Sequence, residues 1–422
     1  MNGRPSTAWK KLPSTAKLGV PRFSGSTGRL KATLTSGSDG AEVCLPRTYG
    51  RLPWYCWGTR PCRRFRRGLS GLEESALQRK LLTALVCLGL VSFCPRDGSS
   101  AAIGAAEPDG GRERVVPSRH GHLAIEGNRL VNARGEPVWL RGMSTHGLQW
   151  YAESLNAESA AVLAEQWRAD VVRLSMYVTE RGYNSNPARF RDLLDEKIRL
   201  LVEHDFYIII DWHMLNPGDP DHEVYSGADE FFAHVAGTYG HLPNIIYEIC
   251  NEPSRVRWDA IKAYADRIVG VIRPLDAKNI IVVGTPDWSS LAMSGDGDYQ
   301  AIIDNPVLDP VPGQSNIMYS FHFYAASHRF ARYGRAVEDF SAHLPVFVTE
   351  CGTQEYTGDG RNDFAEADKY FDLFDRAQIS WVNWNFSHDR RSGAVLRQAG
   401  DYHDLKEAGV YIRRRIAAPP AY

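Results

Sequence analysis

Eight short apolar runs follow one another along this chain, at 138–145, 171–177, 206–213, 244–251, 279–285, 316–324, 346–350 and 380–386. Between most of them lie stretches with apolar residues three and four apart, clearest over Asp192–Val202 and Ile261–Ile272. A run that is apolar throughout is a strand covered on both faces, the condition of a parallel sheet. Parallel neighbours need a crossover long enough for a helix. Eight strands alternating with helices over about 300 residues is the count for an α/β fold of one kind, the (β/α)8 or TIM barrel. Ahead of the runs, 123–132 reads as an N-terminal β-hairpin turning at Gly127-Asn128.

In such a barrel the chemistry sits at the C-terminal ends of the strands. Here those ends offer His146, Arg173, Tyr177, His213, Asn251, Glu252, His322, Tyr324, Glu350 and Trp384. Two runs are the most informative: Ile245–Pro253, containing Asn251-Glu252, and Val346–Thr353, containing Thr349-Glu350. Each ends in a carboxylate where turn residues take over. One strand-end Glu is usually a structural carboxylate. Two, on separate strands and in polar and aromatic company, are the minimum apparatus for glycoside hydrolysis.

Charge divides the rest of the chain. Residues 1–80 carry 16 Lys/Arg against 4 Asp/Glu, which leaves 33 against 46 for residues 81–422. The basic stretch interleaves Arg60, Arg63, Arg64, Arg66 and Arg67 with Trp54, Trp57 and Phe65. No nucleic-acid motif accompanies them, so residues 1–76 read as a disordered extension or as sequence foreign to the native protein, with no nucleic-acid partner. Residues 77–106 resemble a secretory signal: Arg79-Lys80, an apolar core over 81–93, then small residues over 99–106. The core is too short to span a bilayer, so no stable membrane association is expected once it is removed. Residues 107–118 read as a linker and 119–417 as the catalytic domain. Five of the seven cysteines precede residue 95 and only Cys250 and Cys351 lie in the barrel, too few for a disulfide scaffold.

The segments Leu140–Tyr151, Val172–Tyr177, Asp211–His213, Asn251–Pro253, Ser320–Tyr324, Thr349-Glu350 and Trp381–Asn385 stand in an order and spacing that resemble the family 5 glycoside hydrolases. The endo-β-1,4-glucanase branch is the most similar. The resemblance implies that Glu252 is the acid/base and Glu350 the nucleophile. Asn251 would contact the sugar 2-OH, and Arg173 and Tyr324 would keep Glu350 ionised. His146, Tyr177, His213 and His322 would bind hydroxyls or orient the carboxylates. Trp150, Trp288 and Trp384 offer platforms for pyranose rings, although a Trp is as often core.

The chain also departs from the family. Cys351 follows the nucleophile where a Trp is common, and Cys250 precedes Asn-Glu where Ala is common; both are expected to be free buried thiols. Asp389 falls where relatives place a sugar-contacting Lys. A carboxylate open to the cleft would favour a cationic sugar such as glucosamine; the alternative is a solvated loop aspartate. A metal among the three strand-end histidines and two glutamates is the rival chemistry, but no H-E-x-x-H pair exists, so no metal and no other cofactor is expected.

These features predict a secreted, monomeric, retaining endo-β-1,4-glucanase whose partner is a β-glucan. Mannan, mixed-linkage glucan, xyloglucan or chitosan are alternative substrates, and a catalytically silent glycan-binding barrel is the alternative from another class.

Overall fold

The computed structural model describes residues 112–295 and 299–419. The basic extension, the signal-like segment and residues 107–111 of the expected linker lie outside the described residues. The strands are β1 (Ala124–Glu126), β2 (Arg129–Val131), β3 (Arg141–Thr145), β4 (Val171–Tyr177), β5 (Tyr207–His213), β6 (Ile245–Glu248), β7 (Ile280–Val283), β8 (Ile317–Tyr324), β9 (Val346–Gly352) and β10 (Ser380–Phe386). The first two form an antiparallel hairpin; the other eight close in chain order into a parallel barrel, with β10 paired to β3. Every apolar run named above falls on one barrel strand.

Helices form the outer layer because their apolar faces have nowhere else to go. Pro187–Glu203 begins with Asn186 accepting from the Arg189 N–H and with Pro187 in the first turn, where its missing N–H costs nothing. It buries Phe190, Leu194, Ile198 and Leu201 against β4 and β5. Trp258–Ile272 likewise buries Ile261, Ala265, Ile268 and Ile272.

Strand side chains alternate in direction, so every second residue enters the barrel. The lower part of the interior is apolar: Val171, Tyr207, Ile209, Ile246, Ile280, Val282, Met318, Phe347 and Val382 form one cluster. Leu123 and Leu130, from the hairpin region, join that cluster and stopper the lower end. One step up each strand the same alternation brings Arg173, Asp211, Glu248 and Thr349 inward, and above them Tyr177, His213, Tyr324 and Trp384. A dry floor thus lies beneath a polar ceiling.

The last residues of the segment read as linker are anchored to the barrel. Arg112 pairs with buried Asp170 (2.6 Å) and donates to Ile416 O, while Arg114 donates to the carbonyls of Ala169 and Asp205. Cys250 and Cys351 are free and buried, on β-strand ends separated by β7 and β8. No helix among the described residues is long and apolar enough to cross a membrane.

Candidate active site

Four strands converge on one guanidinium. Arg173, from β4, donates through Nε to Glu248 Oε2 (2.6 Å), through Nη1 to Glu350 Oε2 (3.1 Å) and through Nη2 to Asn251 Oδ1 (2.7 Å). Asp211 lies 3.0 Å from Nη2. A buried cation with so many acceptors is held as firmly as it holds them. Tyr324, from β8, gives its phenolic hydrogen to the other oxygen of Glu350 at 2.5 Å. Burial by itself raises a carboxyl pKa, but His322, Arg173 and the Tyr324 bond outweigh it, and Glu350 ends below the usual range.

Glu252 goes the other way. Burial and the nearby Glu350 charge raise it, against the His322 hydrogen bond, so it tends to keep its proton. Its Oε1 meets His322 Nδ1 at 3.0 Å. On the far side of the ring, His322 Nε2 is 2.9 Å from Thr349 Oγ1, whose hydrogen goes to Glu248 Oε1 at 2.7 Å. Thr349 has one hydrogen and spends it on Glu248, so it accepts from Nε2–H. Burial would lower His322, yet its bonds toward Glu248 and Glu252 prevail and lift it to about 9. An imidazolium donates from both nitrogens. Oε1 of Glu252 is then the accepting oxygen, and Oε2 is left to carry the proton.

His213 is pushed well below its ordinary value, by burial first and Arg173 second, and is neutral. Nδ1 donates to Asp211 at 2.7 Å, and the ring stacks between Tyr177 and Trp384, with centroids 4.0 and 5.4 Å away. Asn251 Nδ2 donates to Met214 O, which fixes the amide with its oxygen toward Arg173. Tyr177, Tyr324 and Trp384 pack together, with Trp150 edge-on to Tyr177 at 5.1 Å. His146 accepts from Arg391 at Nε2 (2.9 Å). Trp288 stands apart on the rim, 38% exposed.

Asp389 is neither open to a ligand nor solvated. It is 7% exposed and binds Arg391 Nε at 2.5 Å, with His146 Nε2 at 3.7 Å. The neighbouring His146 ring and the hydrogen-bonded Arg391 hold its pKa well below the ordinary value. The cation it anchors, Arg391, lines the cleft with Tyr356, Thr357 and Gly358. Sequence reasoning missed Arg391 because spacing pointed two residues too early. Glu248, Asp211 and Thr349 were missed as well, although a polar or charged residue inside an apolar run was signal enough.

Glu252, His322 and Glu350 each offer a ligand atom within 4.8 Å of the others, so this trio is where a cation would sit. Both His322 nitrogens are already engaged, and coordination would break one of those hydrogen bonds.

A barrel with two strand-end carboxylates facing each other, one tending to hold its proton and one ionised, is the architecture of a glycoside-cleaving site. Residues 131–390 match the cellulase family, glycosyl hydrolase family 5, and the chain belongs to that family. It is 45% identical to Endoglucanase E-5 of Thermobifida fusca over 305 residues, 71% of this chain and 64% of that protein. It is 44% identical to Endoglucanase MaCel5A of a Microbulbifer species over 307 residues, 71% of this chain and 59% of that one. The chain thus spans about three fifths of the length of these two relatives. The crystal structure of the catalytic domain of Thermobifida fusca endoglucanase Cel5A superposes with a TM-score of 0.68 at 44% identity, covering 72% of this chain and 99% of that domain. A variant of the same domain has been solved in complex with cellotetraose.

Proposed function

We propose that this protein is a secreted endo-β-1,4-glucanase that cleaves internal bonds of cellulose or related β-glucans with retention. The observation that carries the mechanism is the pairing of Glu252 and Glu350. An oxygen of one lies within 4.8 Å of an oxygen of the other, and their pKa values are driven in opposite directions. Retaining enzymes hold their carboxyl groups roughly 5–5.5 Å apart; inverting ones leave room for a water, at about 6.5–9.5 Å. The choice of glucan rests on the relatives, which are named endoglucanases, and on the cellotetraose bound to the Thermobifida domain.

In the first step Glu350 bonds to the anomeric carbon as the glycosidic C–O bond breaks, and the Glu252 proton passes to the leaving oxygen. In the second step water gives a proton to Glu252 and its oxygen to the anomeric carbon, releasing Glu350. Asn251 has its oxygen tied to Arg173 and one Nδ2 hydrogen given to Met214 O; the other, now facing His213 Nε2 with Nδ2 3.5 Å away, is the one left to turn to the sugar 2-OH. Arg173 and Tyr324 stabilise the carboxylate that departs.

Proton NMR of early hydrolysis of a cello-oligosaccharide should show the β-anomer first; an initial α-anomer would overturn the mechanism. Azide should rescue Glu252→Ala with retention and Glu350→Ala with inversion, and exchanged outcomes would exchange the roles. Soluble cellulose, barley β-glucan, glucomannan and chitosan assayed side by side should rank soluble cellulose or β-glucan first.

A further inference from the structure

The loop after β7 is built in an unusual backbone conformation. Asp287, Trp288, Ser289, Leu291 and Ala292 have φ of 58°, 61°, 51°, 57° and 60°. None of them is glycine. Left-handed backbone crowds the Cβ of every L residue, so such a turn persists only where its surroundings hold it.

The holding contacts lead to one place. Ser289 is fully buried; its hydroxyl donates to Asn251 O at 2.6 Å and accepts from Ser320 Oγ at 2.7 Å. The Trp288 N–H donates to Pro253 O at 2.9 Å. Asn251 and Pro253 flank Glu252, and the Asn251 carbonyl belongs to the peptide that leads into it. Thr285, also fully buried, donates to Ser320 O at 3.1 Å and accepts from the Leu291 N–H at 3.0 Å, closing the turn on itself and on β8. The approach is close: a Cβ on Gly284 would lie 2.4 Å from the Cys250 carbonyl oxygen. The side chain of Glu252 is held by His322, but its backbone is held by this turn.

We propose that Ser289 is a positioning residue for the acid/base. Through the Asn251 carbonyl it sets the peptide plane from which Glu252 projects, and it aims the carboxyl at the leaving oxygen. The proposal rests on Glu252 being the acid. Ser289 does not line the cleft, so its removal should disturb proton delivery rather than sugar binding. The first step has one reaction coordinate sensitive to this: transfer of the Glu252 proton to the glycosidic oxygen as that bond breaks. A leaving group that departs without a proton does not need it.

The test compares kcat/KM for cellotetraose, whose leaving group is a sugar alkoxide, with kcat/KM for 2,4-dinitrophenyl β-cellobioside, whose leaving group departs as a stable phenolate. General acid catalysis is worth about 10²- to 10⁴-fold where a proton is needed. Glu252→Ala should therefore lose about a hundredfold or more on cellotetraose and little on the aryl glycoside. Ser289→Ala should show the same split at smaller size, about tenfold or more on cellotetraose and within about twofold on the aryl glycoside, with the loss in kcat rather than KM. Ser320→Ala, which removes only the donor to Ser289, should split in the same sense and serves if Ser289→Ala does not fold. Equal losses on both substrates, or no loss, in the variant that folds would overturn the proposal. If Glu252→Ala itself fails to split, the acid assignment falls, and the proposal falls with it.

Discussion

His322 stands opposite Glu350 across the β8–β9 ladder, one position later than the preceding pairs would bring it. Tyr319 pairs with Val346 and Ser320 with Phe347, yet His322 pairs with Glu350 in place of Thr349. The β9–β10 register also slips, between Trp381 and Asn383. An extra residue in one strand breaks the alternation of side chains. Two consecutive residues, Thr349 and Glu350, therefore both reach into the barrel, one to Glu248 and His322, the other to Arg173 and Tyr324.

Tyr324→Phe tests what holds Glu350 ionised. It removes the 2.5 Å donor to Glu350 without changing the shape of the pocket. A hydrogen bond to a charged group contributes about 1.5–3 kcal/mol, so kcat/KM should fall roughly ten- to a hundredfold. Glu350 lies below its ordinary pKa; losing a donor to its charged form raises it. The acid limb of the pH–rate profile should move to higher pH, and an unmoved limb would refute this account.

The His322 network predicts a pH-dependent stability. The folded pKa is raised to about 9, above the unfolded value of about 6.5. The resulting stabilisation is full below pH ~6.5 and is lost as pH rises through about 9, an effect on the order of 3 kcal/mol. Urea unfolding of wild type should weaken over that window, and His322→Gln should lack that slope.

Asp389 is expected to matter through Arg391. Asp389→Asn keeps the shape but loosens Arg391 and removes the charge that neutralises it. The kcat/KM values on soluble cellulose and on chitosan should fall together, by about three- to tenfold, the range of one lost charge-assisted contact at partial exposure. A change confined to chitosan would restore a direct role for Asp389 in recognising a cationic sugar.

The anchored residues ahead of the barrel set a limit for truncation. A chain beginning at Pro108 should fold and keep its kcat, because it retains the Arg112 and Arg114 contacts to the barrel. One beginning at Val115 loses the Arg112 and Arg114 contacts and leaves the buried Asp170 without the Arg112 cation. Breaking such a pair costs about 3–5 kcal/mol, and thermal unfolding should show the drop. Equal melting temperatures for the two chains would disprove the anchoring role.

The eight apolar runs determined the barrel because a strand covered on both faces can be read from composition alone, and the helices between them leave one way to close it. Glu252 and Glu350 were legible for a similar reason: each carboxylate ends an apolar run, and strand ends in this fold point to one rim. Contacts that depend on strand neighbours were not. Nothing local says that Glu248 and Asp211 share Arg173, since β4, β5 and β6 meet only when the strands pair in register. Nor does the sequence show that β9 slips by one residue, because a bulge is settled by its partner strands. The loop after β10 shows the same limit: spacing pointed to Asp389, and only packing against His146 put Arg391 into the cleft. Sequence determined which groups lie along each strand; closure of the barrel decided which of them meet, because hydrogen bonds and charge pairs form between strands far apart in the chain.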